Sequence, residues 1–296
     1  MDVVEDIFGT ALTDTLRQTP YNSASQFLSL FGSEKPKPSL GVACVFQTFD
    51  VSRRVVESGL PEPIYLGDGR HLAALFSHEG DLVLLDPYLL HTEPIRITAA
   101  DIERGSAKVV VPAAPVRVAA DGTDKPSRLT ARYHRSGDQY AIRLEYSKFS
   151  RASNSYVMSR IFNLLSASGF RMPLAEMTNF DALPDDTVRA VLTDPEQTSL
   201  SIRTLDLELR RMSEVILPLQ GYARGPFVPD DIWVRDFEGQ VSRQSSAAAQ
   251  DVWPELEAAT QCTRDDIVEH LIAASEVYRK IADPNLDVAP YSLENE

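Results

Sequence analysis

The chain has 296 residues, of which 43% are hydrophobic, and a formal net charge of −14. Its length allows a sizeable core, and its acidic balance argues against a nucleic-acid partner, which would need a basic face. No apolar run reaches the ~18–20 residues of a membrane span, the N-terminus lacks a secretory pattern, and the two cysteines are too few for a disulfide framework. We therefore expect a cytoplasmic protein with no membrane contact.

Residues 1–69 predict a helical domain. Residues 1–32 have the pattern of two short helices, and the segment SEKPKPS that follows is typical of an exposed connector. Apolar residues then recur at helical spacing from about Val42 to Ser58, and Gly59 lies where such a helix ends. Cys44 lies in the first turn of this predicted helix.

Residues 70–220 predict a β-rich domain. The apolar runs HLAALFS (71–77) and LVLLD (82–86) flank the turn sequence HEGD, which indicates a β-hairpin. Further short runs with strand patterns and turns follow, and their spacing favours a barrel or a sandwich. We expect a central antiparallel β-barrel, interrupted by a helix from about Ser155 to Ser168.

Residues 221–296 predict a C-terminal helical region with a loose tail. Thr263, followed three residues later by Asp266, has the pattern of a helix N-cap, and an apolar stripe follows it. The expected fold class is therefore α+β, with an N-terminal helical part carrying the cysteine, a central antiparallel barrel and a C-terminal helical region.

Cys44 has two interpretations. Its apolar neighbours favour a cysteine that only fills space in the core. A thiol at a helix N-terminus, however, feels the positive end of the helix dipole, which favours the nucleophilic thiolate. The choice depends on a partner, because a cysteine nucleophile needs an imidazole to take its proton and an acceptor to orient that imidazole.

The predicted hairpin supplies such a pair. His71 begins its first strand and Asp86 ends its second. With a two-residue turn, at either His78–Glu79 or Glu79–Gly80, these two side chains lie on the same face of the hairpin, directly or diagonally opposed. A three-residue loop would place one of them on the other face. The pair favours Cys44 as a nucleophile.

The remaining polar candidates fit this chemistry less well. His91 follows the second strand and is the reserve base, whereas His270 is expected on the polar side of the C-terminal helix. Cys262 is expected to be structural, and Gln47 to face solvent on the cysteine helix. No His–Cys spacing is typical of a zinc site, and there is no phosphate-binding or dinucleotide-binding glycine motif, so we expect no metal and no cofactor.

A helix-borne cysteine, then a histidine opening a strand, then an aspartate closing the next strand resembles the transglutaminase-like cysteine superfamily. The segment LVLLDPYL is similar to the Leu-Asp-Pro strand end of that superfamily. The short spacing from His71 to Asp86, and the layout of helical part, β part and C-terminal lid, most resemble its arylamine N-acetyltransferase branch. The resemblance implies that branch's fold and the catalytic triad Cys44, His71 and Asp86.

The branch surrounds its cysteine with Arg-Gly-Gly-x-Cys. This chain has Leu40, Gly41, Val42 and Ala43 before Cys44, so the Arg and the second Gly are missing. The chain therefore looks like divergent relatives that release polyketide or peptide chains from assembly lines, by forming an amide or by a Dieckmann-type condensation such as tetramate formation. The resemblance implies an acyl-thioester substrate, carried by an acyl or peptidyl carrier protein or by coenzyme A.

Two other functions fit the same residues. A cysteine peptidase or amidase of this superfamily would use the same triad with water as the second nucleophile, and a non-catalytic scaffold would bury Cys44 without using it. The sequence leaves open the substrate, the carrier, the second nucleophile (amine, carbon or water) and the oligomeric state.

Overall fold

The computed structural model describes residues 3–32, 36–166, 169–175, 197–208 and 210–293. Helices near both ends and antiparallel sheets confirm the expected mixed α+β class. The helices are α1 (Val3–Gln18), α2 (Ser23–Phe31), α3 (Cys44–Glu57), α4 (Ala99–Arg104), α5 (Ala247–Gln250), α6 (Trp253–Thr260) and α7 (Arg264–Ile281). The strands are β1 (Tyr21–Asn22), β2 (Ile64–Asp68), β3 (His71–His78), β4 (Asp81–Leu85), β5 (Ile95–Ile97), β6 (Ser106–Val118), β7 (Asp124–Ser136), β8 (Gln139–Ser150), β9 (Ser155–Leu165), β10 (Ser199–Asp206), β11 (Arg211–Pro218), β12 (Trp233–Arg235) and β13 (Val241–Arg243).

Within these ranges, no helix is both long enough and apolar enough to cross a membrane. The cytoplasmic location stays a prediction.

Contacts between residues group the chain into two compact units. The first unit consists of Met1–Leu16 and Cys44–Leu192, and the second of Arg17–Ala43 and Thr193–Glu296. The three domains expected from the sequence, 1–69, 70–220 and 221–296, stay a prediction.

The first unit contains two four-stranded antiparallel sheets, in the orders β2-β3-β4-β5 and β6-β7-β8-β9. Alternate residues of both sheets point into one apolar core, and removal of this surface from water is the main force that stabilises the unit. Fully buried members of this core include Leu66, Ala73, Leu84, Ile95, Leu129, Ile142, Leu144 and Leu164.

The predicted closed β-barrel is wrong for the described part of the chain. A barrel needs a continuous ladder that joins its first and last strands. Here each sheet has two outer strands, and beyond the sheets the pairing is limited to isolated bridges such as Tyr65 with Phe170 and His91 with Ala113. The β-rich region is therefore two sheets sharing a core.

The predicted helix from Ser155 to Ser168 is also wrong over its described residues, because Ser155–Leu165 forms β9. This strand pairs with β8 from Ser150 opposite Ser155 to Ala141 opposite Leu165. The ladder with β8 pairs the main-chain groups along one side of the whole segment, and this pairing overrides the local helical pattern.

The β3–β4 hairpin confirms the predicted turn. His78 pairs with Asp81, which leaves Glu79 and Gly80 as a two-residue loop. Both loop residues have positive φ, 50° and 88°, as a type I′ turn requires, and Gly80 takes that conformation without steric cost. The turn fixes the register of the hairpin and hence the face on which each side chain lies.

The predicted cysteine helix is confirmed as α3, which Gly59 follows at a φ of 93°. In the second unit, the sheet runs in the order β1-β10-β11-β12-β13, and α2 and α7 pack on it around Phe27, Leu271 and Tyr278. Thr263 caps α7 as predicted, since its side chain accepts a hydrogen bond from the amide of Asp266.

Candidate active site

Cys44 is the first residue of α3 and is half-buried. The first turn of a helix has amide N–H groups without helical partners, and their positive field favours an anion. No acidic residue lies in this first turn to offset that field. The sulfur lies 3.9 Å from the carbonyl oxygen of Arg70, the residue that precedes β3.

The chain reaches Cys44 through a tightly fixed segment in which Gly41 is required. Gly41 has a φ of 87°, and a Cβ at this position would lie 2.0 Å from the carbonyl oxygen of Pro20. The amide of Val42 donates to that same oxygen at 2.9 Å. Gly41 matches the first glycine of the pattern Arg-Gly-Gly-x-Cys. The close approach of Pro20 explains why this position needs a glycine.

His71 and Asp86 meet as the hairpin register predicts. The Nε2 of His71 lies 2.6 Å from Oδ2 of Asp86, in a site where His71 is 3% exposed and Asp86 is fully buried. Since a carboxylate only accepts hydrogen bonds, Nε2 is the donor. Asp86 thereby fixes the plane of the imidazole and leaves Nδ1 for another partner.

Cys44 acts on the same imidazole. Burial lowers the pKa of His71, but Asp86 and Cys44 together raise it, so that the net pKa is about 10. Among the described residues, the buried Nδ1 of His71 has no hydrogen-bond partner. The raised pKa means that a proton on His71 is strongly held in this environment.

Thr48 connects the cysteine helix to the histidine strand. Its buried Oγ1 lies 3.0 Å from the carbonyl oxygen of Leu72 and 3.2 Å from that of Cys44. One hydroxyl thus bridges the residue after His71 and the first residue of α3. The sequence signal for Thr48 is a hydroxyl one helical turn after the cysteine.

His91 is not positioned as the reserve base. Its Nε2 accepts a hydrogen bond from the amide of Asp86 at 2.9 Å, and its Nδ1 donates to the carbonyl oxygen of Glu93 at 2.7 Å. The ring is fully buried, and burial lowers its pKa, so the neutral form is favoured. With both nitrogens engaged, His91 positions Asp86 and takes no proton from Cys44.

Two aromatic side chains surround the imidazole of His71. Phe162 of β9 stacks on it with ring centroids 3.8 Å apart and planes at 20°, and Tyr88 lies 5.5 Å away. Sequence reasoning missed Phe162 because its segment was assigned to a helix. The signal for a strand is the high content of β-branched and aromatic residues in YVMSRIF.

The other candidates lie as follows. Gln47 is buried at 2% exposure, so the expected solvent-facing position is wrong. His270 is also buried, with Nε2 2.9 Å from Nδ2 of Asn22, so its expected place on the polar side of α7 is wrong too. Cys262 is buried in the core of the second unit, 3.4 Å from the hydroxyl of Ser39, as a structural cysteine would be.

In the described ranges, no group of three or more His, Cys, Asp or Glu side chains is arranged to hold a metal ion. Comparison of the chain with protein-family models, curated proteins and solved structures finds no match.

Proposed function

We propose that this chain is a cysteine-dependent acyltransferase that receives an acyl group from a thioester on Cys44. One observation supports the proposal above all others. The imidazole of His71 is held by Asp86 at 2.6 Å and interacts with the thiol at the N-terminus of α3. A nucleophile, a base that acts on it and an acid that orients the base are the requirement for nucleophilic catalysis by cysteine.

In the first half-reaction, His71 holds the proton of the Cys44 thiol as an imidazolium, in keeping with its raised pKa, and the thiolate sulfur attacks the thioester carbonyl. The carbonyl oxygen becomes an oxyanion, and the amide N–H groups in the first turn of α3 are the donors that would stabilise it. The C–S bond to the carrier then breaks, and the imidazolium returns its proton to the departing thiolate. Asp86 stabilises the imidazolium throughout.

In the second half-reaction, neutral His71 accepts a proton from the incoming nucleophile. That nucleophile, an amine or an activated carbon, bonds to the acyl carbon while the bond to Cys44 breaks. The sulfur leaves as a thiolate beside the newly formed imidazolium, which restores the starting state.

The substrate class of the proposal comes from the resemblance of the cysteine, hairpin and layout to the arylamine N-acetyltransferase branch. We propose its fold for this chain, and release of a polyketide or peptide chain from a carrier protein, by amide formation or Dieckmann-type closure, as the reaction. The buried His71 and Asp86 are consistent with condensation, because a reaction that must avoid hydrolysis benefits from exclusion of water.

The test is acylation of the purified chain by the N-acetylcysteamine thioester of a short straight-chain fatty acid. Intact mass spectrometry should show one acyl adduct, and peptide mapping should place it on Cys44. Cys44→Ala should carry no adduct. Cys262→Ala, which removes the other cysteine, should be acylated like the parent.

Full acylation of Cys44→Ala, or the absence of an adduct from the parent, would refute the proposal. An adduct that forms but releases only free acid, even with amine or a cyclisable β-ketoacyl donor present, would indicate the hydrolase instead. A Cys44 that iodoacetamide alkylates no faster than a cysteine of an unfolded peptide would indicate the scaffold.

A further inference from the structure

One face of the catalytic imidazole is covered by a side chain from a different sheet. Phe162 pairs through its main chain with Leu144 of β8, and its ring stacks on His71 at 3.8 Å. Tyr88 lies against both rings, 5.5 Å from that of His71 and 6.3 Å from that of Phe162. A ring separation of 3.8 Å is ordinary van der Waals contact, so no water molecule fits between the rings.

Phe162 is the more exposed member of the stacked pair of rings. It is half-buried, whereas the imidazole that it covers is only 3% exposed. Ile161 and Leu165 of the same strand, exposed at 41% and 50%, point to the opposite face because successive side chains alternate. Leu164, on the same face as Phe162, is fully buried. On the face where the two rings stack, the phenyl ring of Phe162 therefore excludes water from His71.

Water exclusion has a chemical consequence in the second half-reaction. Neutral His71 activates whichever nucleophile reaches the acyl carbon, and water is always available unless the site excludes it. If water attacks, its oxygen bonds to the acyl carbon, its proton passes to His71, and the bond to Cys44 breaks. The product is then a free acid, and the condensation is lost.

We propose that Phe162 is the specificity-determining residue that protects the acyl-enzyme from water. The inference rests on the proposed acyl-enzyme at Cys44. Phe162 covers the imidazole and keeps His71 from activating water against the thioester carbon of the acyl-enzyme, so the substrate's own nucleophile has time to react. Its removal changes what the second nucleophile is, while leaving the first half-reaction in place.

The experiment measures the decay of the acyl adduct in buffer. The chain is loaded with the N-acetylcysteamine thioester used above, the donor is removed, and loss of the adduct is followed by intact mass. For Phe162→Ala we expect first-order decay about ten-fold faster than for the parent. Phe162→Leu keeps an apolar cover and should lie near the parent. Tyr156→Ala removes another half-buried aromatic from β9, one in contact with Phe149 and Arg128, and should decay like the parent.

The direction of the change separates this role from a structural one. If Phe162 only held the imidazole in place, its removal would weaken the base and slow the decay. Decay of Phe162→Ala that is equal to or slower than that of the parent overturns the inference, and so does equally fast decay of Tyr156→Ala. A parent that carries no adduct refutes the proposed acyl-enzyme itself. If Phe162→Ala does not fold, Phe162→Val provides the same comparison.

Discussion

The hydrogen bonds of His91 predict what its loss does to the triad. In His91→Phe, the amide of Asp86 loses the acceptor at 2.9 Å, and the carbonyl of Glu93 loses the donor at 2.7 Å. The Asp86 amide belongs to a fully buried residue, whereas Glu93 is exposed and its carbonyl can turn to water. An unsatisfied buried amide costs ~1–3 kcal/mol, and the replaced bond at Glu93 adds less, so we expect a loss of about 2–3 kcal/mol.

A matched pair of variants separates stability from the positioning of Asp86. The amide oxygen of a glutamine at position 91 can lie where Nε2 lies and accept from Asp86. The amide nitrogen of an asparagine can lie where Nδ1 lies and donate to Glu93. We expect His91→Gln to keep the alkylation rate of Cys44 by iodoacetamide close to the parent, and His91→Asn to lower it as His91→Phe does.

The assay combines urea unfolding, followed by circular dichroism, with alkylation of Cys44 followed by mass. Thermal unfolding gives an independent value, since ~2–3 kcal/mol corresponds to a fall in Tm of roughly 5–10 °C for a chain of this size. A His91→Phe protein as stable as the parent would refute the reasoning. Equal alkylation rates for the Gln and Asn variants would show that the hydrogen bond from the Asp86 amide to position 91 does not control the reactivity of Cys44.

Two further predictions follow from pKa values. Because the pKa of His71 is raised to about 10, its contribution to stability is present below ~6.5 and is lost as pH rises through ~10. Asp86→Asn removes the main group that raises this pKa. The free energy of unfolding, measured with urea from pH 7 to 10, should therefore fall less steeply with pH than in the parent. The same steepness in both proteins would contradict this prediction. Burial lowers the pKa of His270 to about 4, so stability falls as pH drops from ~6.5 towards ~4, by roughly 3 kcal/mol at most. His270→Gln keeps an acceptor for Asn22 and should lose less stability over that range, and equal acid sensitivity would show that His270 is not the cause.

The part of the site that sequence could predict is the part that is local. The two-residue turn at Glu79–Gly80 sets the register of one hairpin, and that register alone brings His71 and Asp86 to the same face. Likewise, the presence of a helix that carries Cys44 near its start follows from short-range helical periodicity. These features need no knowledge of what the rest of the chain does, because neighbouring residues decide them.

The errors arise where distant segments decide the outcome. The segment from Ser155 onwards has enough apolar residues at helical spacing to suggest a helix, but the ladder with β8 determines its state. Barrel closure likewise depends on whether β2 finds a continuous partner beyond β3, which no local pattern encodes. Because Phe162 was placed on the wrong element, its contact with His71 could not be foreseen.

His91 shows why a list of catalytic residue types does not settle their roles. A histidine five residues after the orienting aspartate is a reasonable reserve base in sequence, and it does lie beside the site. Whether it moves protons depends on its two nitrogens, and here a main-chain amide and a main-chain carbonyl engage both. Burial then favours the neutral ring that these bonds require. The two histidines near Asp86 therefore divide the work: Asp86 holds His71 through its carboxylate, and His91 holds Asp86 through its amide.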